Sequence, residues 1–276
     1  MNPSVSAITL GVEDIKRAKK FYEKGLGFRT AHEAEGFVAL GAIGVSTSVG
    51  LYTRDALAAD AGVDAKGTGF KGSAMSLIFE EAGSVDAVVA SAQKAGGSVI
   101  KAAKSQFWGG YTGYVADPDG HLWKIGSNHR PPLFRGKRDD ATTAASTSTP
   151  TPTETAVTLA CRDIKQSKAF YADGLGFLVD KSFGKFVSFK AEGGATFLSL
   201  YTWDALADDA GVDPKSEGFR AMTLSYIASS SDEVDEVLAA AAKAGASVIE
   251  PTGAAWGYSG HFTDPSGHIW KVASGK

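Results

Sequence analysis

The chain has 276 residues, a formal net charge of −3 at pH 7 and a single cysteine. That length suits two domains of moderate size, each able to bury its own core, and the weak, mixed charge provides no basic surface for a nucleic acid. No apolar run approaches the ~20 residues of a membrane span, and the N-terminus lacks the pattern of a signal peptide, so we expect a soluble cytoplasmic protein with no membrane partner.

The predicted elements begin with a strand over residues 6–12, "SAITLGV", in which apolar residues alternate with small ones. Asp14 follows as the N-cap of a helix that ends at Gly25 or Gly27. Three short strands come next, near residues 28–34, 36–41 and 45–53. This succession is a strand–helix–strand–strand–strand module.

A second module follows the short helix predicted for "RDALAADAGVD", residues 54–64. It consists of a strand over 73–79, a helix for which Ser84 is the predicted cap, and three more strands near residues 98–102, 111–116 and 121–126. The acidic residues of 54–64 have the spacing of a solvated helix face, although they could also bind Ca²⁺.

The sequence of these two modules is repeated in the second half of the chain. Residues 51–70 and 200–219 are identical at 15 of 20 positions. The stretch "DIKRAKKFYEKGLGF" aligns with "DIKQSKAFYADGLGF" at the same offset of 149 residues. The offset falls to 147 between Asp117 and Asp264. Such self-similarity predicts two domains of the same fold and therefore four modules.

The segment between the repeats is rich in Thr, Ser, Ala and Pro, and it cannot bury enough surface to offset its chain entropy. We therefore predict a first domain over residues 1–130, a flexible linker over 131–153 and a second domain over 154–276. A linker of this length allows the two domains to pack side by side as an intramolecular pseudo-dimer.

Two stretches carry a resemblance to a known family: "ITLGVEDIKRAKKFYEKGLGF" and "YVADPDGHLWKI", the latter repeated as "HFTDPSGHIWKV". In both repeats they resemble the vicinal oxygen chelate superfamily, which includes glyoxalase I, bleomycin-resistance proteins and extradiol dioxygenases. The resemblance implies an α+β fold of two tandem glyoxalase-like domains, each with two βαβββ modules whose mixed sheets curl around a cavity. It also implies a divalent metal in enzymatic members, held on the first and last strands of each module.

The metal-ligand positions implied by this resemblance hold no usual ligand here. Counted from the aspartates of the two motifs, they fall on Ala7, Gly50, Ala74 and Lys124 in the first repeat and on Ala156, Ser199, Thr223 and Lys271 in the second. Divalent ions prefer imidazole, thiolate or carboxylate, and an ammonium group repels them. We therefore expect no metal and no cofactor, which argues against typical glyoxalase I or extradiol dioxygenase activity.

Strand alternation places both lysines on the inward face, where they could supply a fixed positive charge to an anionic or carbonyl-bearing ligand. The alternative is that they extend to solvent at the ends of short strands. The predicted ligand-binding residues are Tyr52, Trp108, Tyr114, Lys124, Tyr201, Trp256, His261 and Lys271. Trp108 and Trp256 precede glycine-rich turns, where they could stack on an aromatic ligand or cover the seam between domains. The same alternation places Trp123 and Trp270 in the core.

The histidines and the cysteine receive different interpretations. His261 replaces Tyr114 at the equivalent inward position, so it could contact a ligand or act as an acid or base. His121 and His268 follow the "DPDG" and "DPSG" turns, and we interpret them as turn residues bonded to local backbone. Cys161 alternates with apolar residues in a strand pattern, which predicts a buried, unreactive thiol.

The leading hypothesis is a metal-independent small-molecule binding protein of the glyoxalase/bleomycin-resistance type that sequesters a drug or metabolite. A second hypothesis is a lyase-like or isomerase-like enzyme of the same fold, with His261, Lys271 or Tyr114 as its acid–base groups and no metal. A third is a structural module that binds a partner protein. The asymmetry between the repeats distinguishes these hypotheses in part: a catalytic histidine in one repeat only, at position 261, favours a single active pocket, whereas symmetric binding would tolerate either residue.

Overall fold

The computed structural model describes residues 4–106, 110–129, 150–191, 196–254 and 257–275. Most of the predicted linker, together with Trp108 and Trp256, lies outside the described residues. Within them, no helix is both long and apolar enough to cross a membrane.

The first repeat folds into the predicted succession of elements with one unpredicted addition, a short strand over residues 67–69. Its strands are β1 (Ala7–Val12), β2 (Arg29–Ala34), β3 (Phe37–Gly41), β4 (Ser48–Thr53), β5 (Gly67–Gly69), β6 (Ser73–Phe79), β7 (Ser98–Ser105), β8 (Tyr111–Ala116) and β9 (Leu122–Ser127). Its helices are α1 (Ile15–Gly25), α2 (Arg54–Asp60) and α3 (Ala82–Lys94). Asp14 caps α1 as predicted, because its carboxylate accepts from the backbone N–H groups of Lys16 and Arg17.

The second repeat has the same order of elements. Its strands are β10 (Glu154–Cys161), β11 (Val179–Phe183), β12 (Phe186–Phe189), β13 (Phe197–Thr202), β14 (Ser216–Gly218), β15 (Met222–Ala228), β16 (Ser247–Ala254), β17 (Gly257–Thr263) and β18 (Ile269–Ser274). Its helices are α4 (Ile164–Ala169), which the π-helical turn Phe170–Gly174 extends, α5 (Trp203–Ala210) and α6 (Ser231–Lys243).

The predicted cap of α3 is wrong. Ser84 lies inside the helix, which begins at Ala82, and the N-cap residue Glu81 makes no capping hydrogen bond with its side chain. Ala82 is a strong helix former and is buried, so packing extends the helix ahead of the serine. The counterpart helix α6 does begin after a serine, Ser230, whose hydroxyl oxygen accepts from the N–H group of Glu233.

Two eight-stranded mixed sheets form the body of the protein, and each combines one module from each repeat. The first sheet has the order β16-β17-β18-β15-β1-β4-β3-β2, and the second has the order β11-β12-β13-β10-β6-β9-β8-β7. At the seams, β1 pairs antiparallel with β15 and β6 pairs antiparallel with β10. The α+β fold class with βαβββ modules and mixed sheets is confirmed.

The main hydrophobic cluster contains one face of each sheet together with residues from α1, α3, α6 and the π-helical turn Phe170–Gly174. Trp123 and Trp270 are each only 1% exposed, as the alternation predicts. Trp270 stacks on Phe262 with ring centroids 5.8 Å apart, and Trp123 packs edge-on against Tyr22 and Phe28. Their neighbours in sequence, the two lysines, consequently lie on the opposite, concave faces.

A small two-stranded sheet joins the repeats where the modules connect. β5 pairs antiparallel with β14, so that Gly67 faces Gly218. A Cβ atom at Gly67 would lie 2.2 Å from the carbonyl oxygen of Phe219, which only glycine avoids. This close approach brings the residues after β5 and β14 from the two repeats together.

Candidate functional site

Strand β18 places Lys271 on the concave face of the first sheet, next to the last residue of α2. Lys271 Nζ lies 2.6 Å from Asp60 Oδ1 and 2.8 Å from Oδ2. His261 is the neighbour of Lys271 across β17 and β18, and its Nε2 lies 3.3 Å from Asp60 Oδ2. Asp60 of the first repeat therefore binds two side chains of the second.

The second sheet repeats this arrangement with the roles of the repeats exchanged. Lys124 Nζ lies 2.7 Å from Asp209 Oδ2, and the hydroxyl of Tyr114 donates to the same oxygen at 2.5 Å. Tyr114 and Lys124 face each other across β8 and β9. Each concave face thus holds a lysine–aspartate ion pair and one further polar ring.

Electrostatics favour the ionised form of both aspartates and the protonated form of Tyr114. Burial disfavours the ionised form of Asp60, but hydrogen bonds from His261 and Lys271 outweigh it and lower its pKa to about 2. Burial also opposes ionisation of Asp209, yet the charge of Lys124 lowers its pKa below the ordinary value. Burial and the adjacent Asp209 raise the pKa of Tyr114 well above its usual range. Both carboxylates are therefore ionised at neutral pH.

Sequence reasoning missed both aspartates. They lie in "DALAAD" and "DALADD", whose spacing we interpreted as a solvated helix face. Asp60 ends α2 and Asp209 lies in the last turn of α5. One signal was present, because the two carboxylates keep the repeat offset of 149 residues while their neighbours Ala59 and Asp208 differ.

Each sheet combines metal-ligand positions from both repeats, because each sheet consists of one module from each repeat. The first sheet contains Ala7, Gly50, Thr223 and Lys271, and the second contains Ala74, Lys124, Ala156 and Ser199. The residues present do not fit a divalent ion, because each lysine ammonium neutralises the carboxylate nearest to it. In the described part of the chain, no group of three or more His, Cys, Asp or Glu side chains could hold a metal ion.

A cavity of about 290 Å³ opens beside the pair formed by Lys271 and Asp60. His261 and Glu250 also line it, together with the ends of β17 and β18. Lys101 is the counterpart of Glu250 in the other repeat, and its Nζ donates to the carbonyl oxygen of Asp209 at 2.7 Å. The two concave faces therefore differ: a carboxylate lines one, and a lysine binds the end of the helix at the other.

The remaining predicted ligand-binding residues are distributed over both faces. Tyr52 on β4 lies near Asp60, and burial followed by the charge of that carboxylate raises its pKa. Its ring packs on Phe37 with centroids 4.9 Å apart. Tyr201 occupies the equivalent place near Asp209 on β13. Trp108 and Trp256 lie outside the described residues, so their stacking role stays a prediction.

The interpretation of His121 and His268 as local turn residues is wrong for their side chains. Both rings are buried, and each Nε2 donates to a distant strand carbonyl, that of Gly11 at 3.1 Å and that of Ala160 at 2.8 Å. Only their backbone N–H groups bond the aspartate of the preceding turn. Each histidine thus joins the two modules of its own repeat.

Cys161 is buried, as predicted, and burial raises the pKa of its thiol to about 12. A thiol with this pKa is protonated at neutral pH, and the thiolate is the nucleophilic form. The chemistry of the concave faces therefore depends on oxygen and nitrogen groups.

A family model described as the Glyoxalase/Bleomycin resistance protein/Dioxygenase superfamily matches residues 4–125 and 155–272. The structure is similar to a putative dioxygenase from Bacillus subtilis subsp. subtilis str. 168, at 14% identity and a TM-score of 0.65, covering 100% of this chain and 86% of that one. It is also similar to glyoxalase I from Zea mays, at 17% identity and a TM-score of 0.64, covering 98% and 92%. Such identities show the fold alone. No curated protein matches the sequence.

Proposed function

Because the chain belongs to the glyoxalase/bleomycin resistance protein/dioxygenase superfamily, we propose that it sequesters a small drug or metabolite in the cavity beside Lys271, without a metal. The observation that carries this proposal is the ion pair of Lys271 with Asp60. It stands at a strand position where the resemblance implies a metal ligand, and its ammonium group excludes a cation.

The geometry favours a ligand that combines an aromatic ring with a carbonyl or carboxylate oxygen. A lysine ammonium has three donors, and Asp60 accepts two hydrogen bonds from Lys271. The third donor is available to a ligand oxygen in the adjoining cavity. Tyr52 lies near Asp60, outside the residues that line the cavity, and offers a ring against which a flat ligand that reaches Asp60 can pack.

A second function is favoured by the contact of His261 with Asp60. A carboxylate that accepts from an imidazole orients the ring, which is the usual support of a general base. His261 lines the cavity, so an acid–base reaction on a bound carbonyl compound is the alternative to simple sequestration.

The proposal is tested on the purified full chain by native mass spectrometry with metal analysis, followed by calorimetric titration with bleomycin, benzoate and methylglyoxal. We expect no stoichiometric metal, and binding of an aromatic or anionic probe that Lys271→Met abolishes. Lys124→Met is the matched control, because it removes the equivalent lysine from the other sheet, and it should leave that binding intact.

Two results would contradict sequestration. Stoichiometric Zn²⁺, Ni²⁺ or Fe²⁺ that depends on Asp60 and His261 would establish a metal site. Turnover of a bound probe, detected by mass spectrometry and lost in His261→Gln while binding persists, would establish the enzyme instead.

A further inference from the structure

A second cavity lies at the junction of the two repeats, away from the concave faces. Its volume is about 300 Å³, and its charged lining consists of Arg54, Lys71, Asp119 and Arg220. Three cationic side chains against one carboxylate give this cavity an excess of positive charge. The backbones of β5 and β14 form part of its wall.

The charge excess arises from a difference between the repeats. Trp203, the counterpart of Arg54, stacks between the guanidinium groups of Arg162 and Arg220, at 4.6 and 4.7 Å. Arg54 instead donates to three backbone carbonyls at 2.7 to 3.0 Å. Where the second repeat has an indole ring, the first therefore presents another cation.

Lys71 is the counterpart of Arg220, but it lacks that residue's partners. Arg220 donates to the carbonyl oxygen of Ser266 at 2.7 Å and lies 3.3 Å from His268 Nδ1. The Lys71 ammonium makes no hydrogen bond or ion pair within the described residues, and the equivalent His121 Nδ1 is buried without a partner. Burial, followed by the charge of Arg54, lowers the pKa of Lys71. The carboxylates of Asp117 and Asp119 oppose this shift, but neither forms an ion pair with Lys71 in the described part of the chain. A partly buried cation without a direct ion pair is costly, and a bound anion would offset that cost.

The side chain of Asp119 indicates that the bound anion must also have a hydrogen-bond donor. Its side chain is 7% exposed, and Oδ1 accepts from Arg17 at 2.9 Å and from the N–H group of Glu13 at 2.8 Å. Oδ2 is buried and has no hydrogen-bond partner among the described residues. Since a carboxylate only accepts, the missing group must bring a donor as well as negative charge. Inorganic phosphate at neutral pH has both, because it keeps a P–OH group, whereas sulfate has no proton to donate.

We propose that this cavity is a binding site for hydrogen phosphate, whose charged oxygens are held by Lys71, Arg54 and Arg220 and whose P–OH group donates to Asp119. Charge-assisted hydrogen bonds to such an anion are stronger than neutral ones. Lys71 and Arg220 belong to different repeats, so bound phosphate links the repeats and stabilises their association.

The test is calorimetric titration of the full chain with inorganic phosphate and with sulfate at pH 7.5 and constant ionic strength, together with thermal unfolding in both anions. We expect phosphate to bind more tightly than sulfate and to raise Tm. Lys71→Met should weaken phosphate binding by about tenfold or more and, without phosphate, should unfold at or above the wild-type Tm because the uncompensated charge is gone. Lys20→Met, at an exposed position on α1, is the control and should bind phosphate as the wild type does.

Two further experiments test whether the P–OH group of the bound phosphate donates to Asp119. Asp119→Asn replaces an acceptor with a donor, so it should remove the preference for phosphate over sulfate. Glycerol 3-phosphate, a monoester that is largely dianionic at pH 7.5, should bind less tightly than inorganic phosphate. The proposal is overturned if Lys71→Met binds phosphate as tightly as the wild type, if sulfate or the monoester binds equally well, or if neither anion binds at millimolar concentration.

Discussion

Lys271 and Asp60 are joined by two hydrogen bonds, of 2.6 and 2.8 Å, although 211 residues separate them in the chain. The contact requires β15 of the second repeat to pair with β1 of the first, because β18 lies beside β15 and α2 follows β4 beside β1. Lys124 and Asp209 form the equivalent contact on the other sheet. Each concave face therefore depends on both repeats for its charge pair.

We expect the Lys271–Asp60 pair to contribute little to stability, about 1 kcal/mol or less. Both side chains are about one third exposed, at 28% and 34%, and partly solvated ion pairs are screened by water. The measurement is a double-mutant cycle with Lys271→Met and Asp60→Asn, followed by urea unfolding. A coupling free energy of several kcal/mol would show that the pair is structural and would weaken the case for a ligand-binding role.

Protonation of His121 should make the protein less stable in acid. Burial, and then the charge of Lys71, lower the pKa of His121 from 6.5 to about 3. The unfolded chain therefore binds a proton that the folded state rejects, so this contribution is complete above pH 6.5 and is lost as the pH falls towards 3. One such group changes the free energy of unfolding by at most about 1.4 kcal/mol per pH unit.

Urea unfolding between pH 7 and pH 4 measures this effect. His121→Gln keeps a donor for the Gly11 carbonyl and should give a shallower pH dependence than the wild type. His32→Gln removes an exposed histidine and is the control, expected to follow the wild-type curve. Equal slopes in all three proteins would contradict the assignment.

Much of this architecture can be predicted from sequence. Burial of one sheet face makes apolar residues alternate along a strand, and the repeat shows the sequence pattern of each element twice. The placement of Lys124 and Trp123 on opposite faces of β9 follows directly from that alternation. The pairing of modules does not follow. "SAMSLIF" in β6 and "MTLSYIA" in β15 are similar strands, so local sequence cannot tell whether β1 pairs within its repeat or across the repeats.

Of the ion pair at the candidate site, only the lysine could be predicted from the sequence, for a related reason. Lys271 could be assigned to a concave face from its own strand, whereas Asp60 acquires its role only when a distant module is brought against it. The aspartate looks like any solvated residue at the end of a helix. Long-range partners of this kind leave no periodic signal in the sequence.

Removal of the tyrosine hydroxyls that bind Trp123 and Trp270 should lower the free energy of unfolding. The hydroxyl of Tyr22 donates to buried Asp117 at 2.8 Å and accepts from Trp123 Nε1 at 3.3 Å, so Tyr22→Phe leaves two buried polar groups unpaired. We expect the free energy of unfolding to fall by about 1–3 kcal/mol, and by a similar amount in the equivalent variant Tyr171→Phe. Tyr111→Phe, which removes an exposed hydrogen bond, should cost less than about 0.5 kcal/mol. Equal losses in all three variants would show that burial does not determine the cost.

Residues 1–130 expressed alone should form a homodimer. Without the second repeat, β1 and β6 lose their antiparallel partners β15 and β10, and an unpaired strand edge associates with another chain. The β6 edge of one copy is similar to the missing β15, so each β1 can pair with β6 of a second copy. Lys124 of one copy would then face Asp60 of the other. Analytical ultracentrifugation should show a dimer that Asp60→Lys weakens by placing two ammonium groups together, whereas a stable monomer would show that one repeat completes its own sheets.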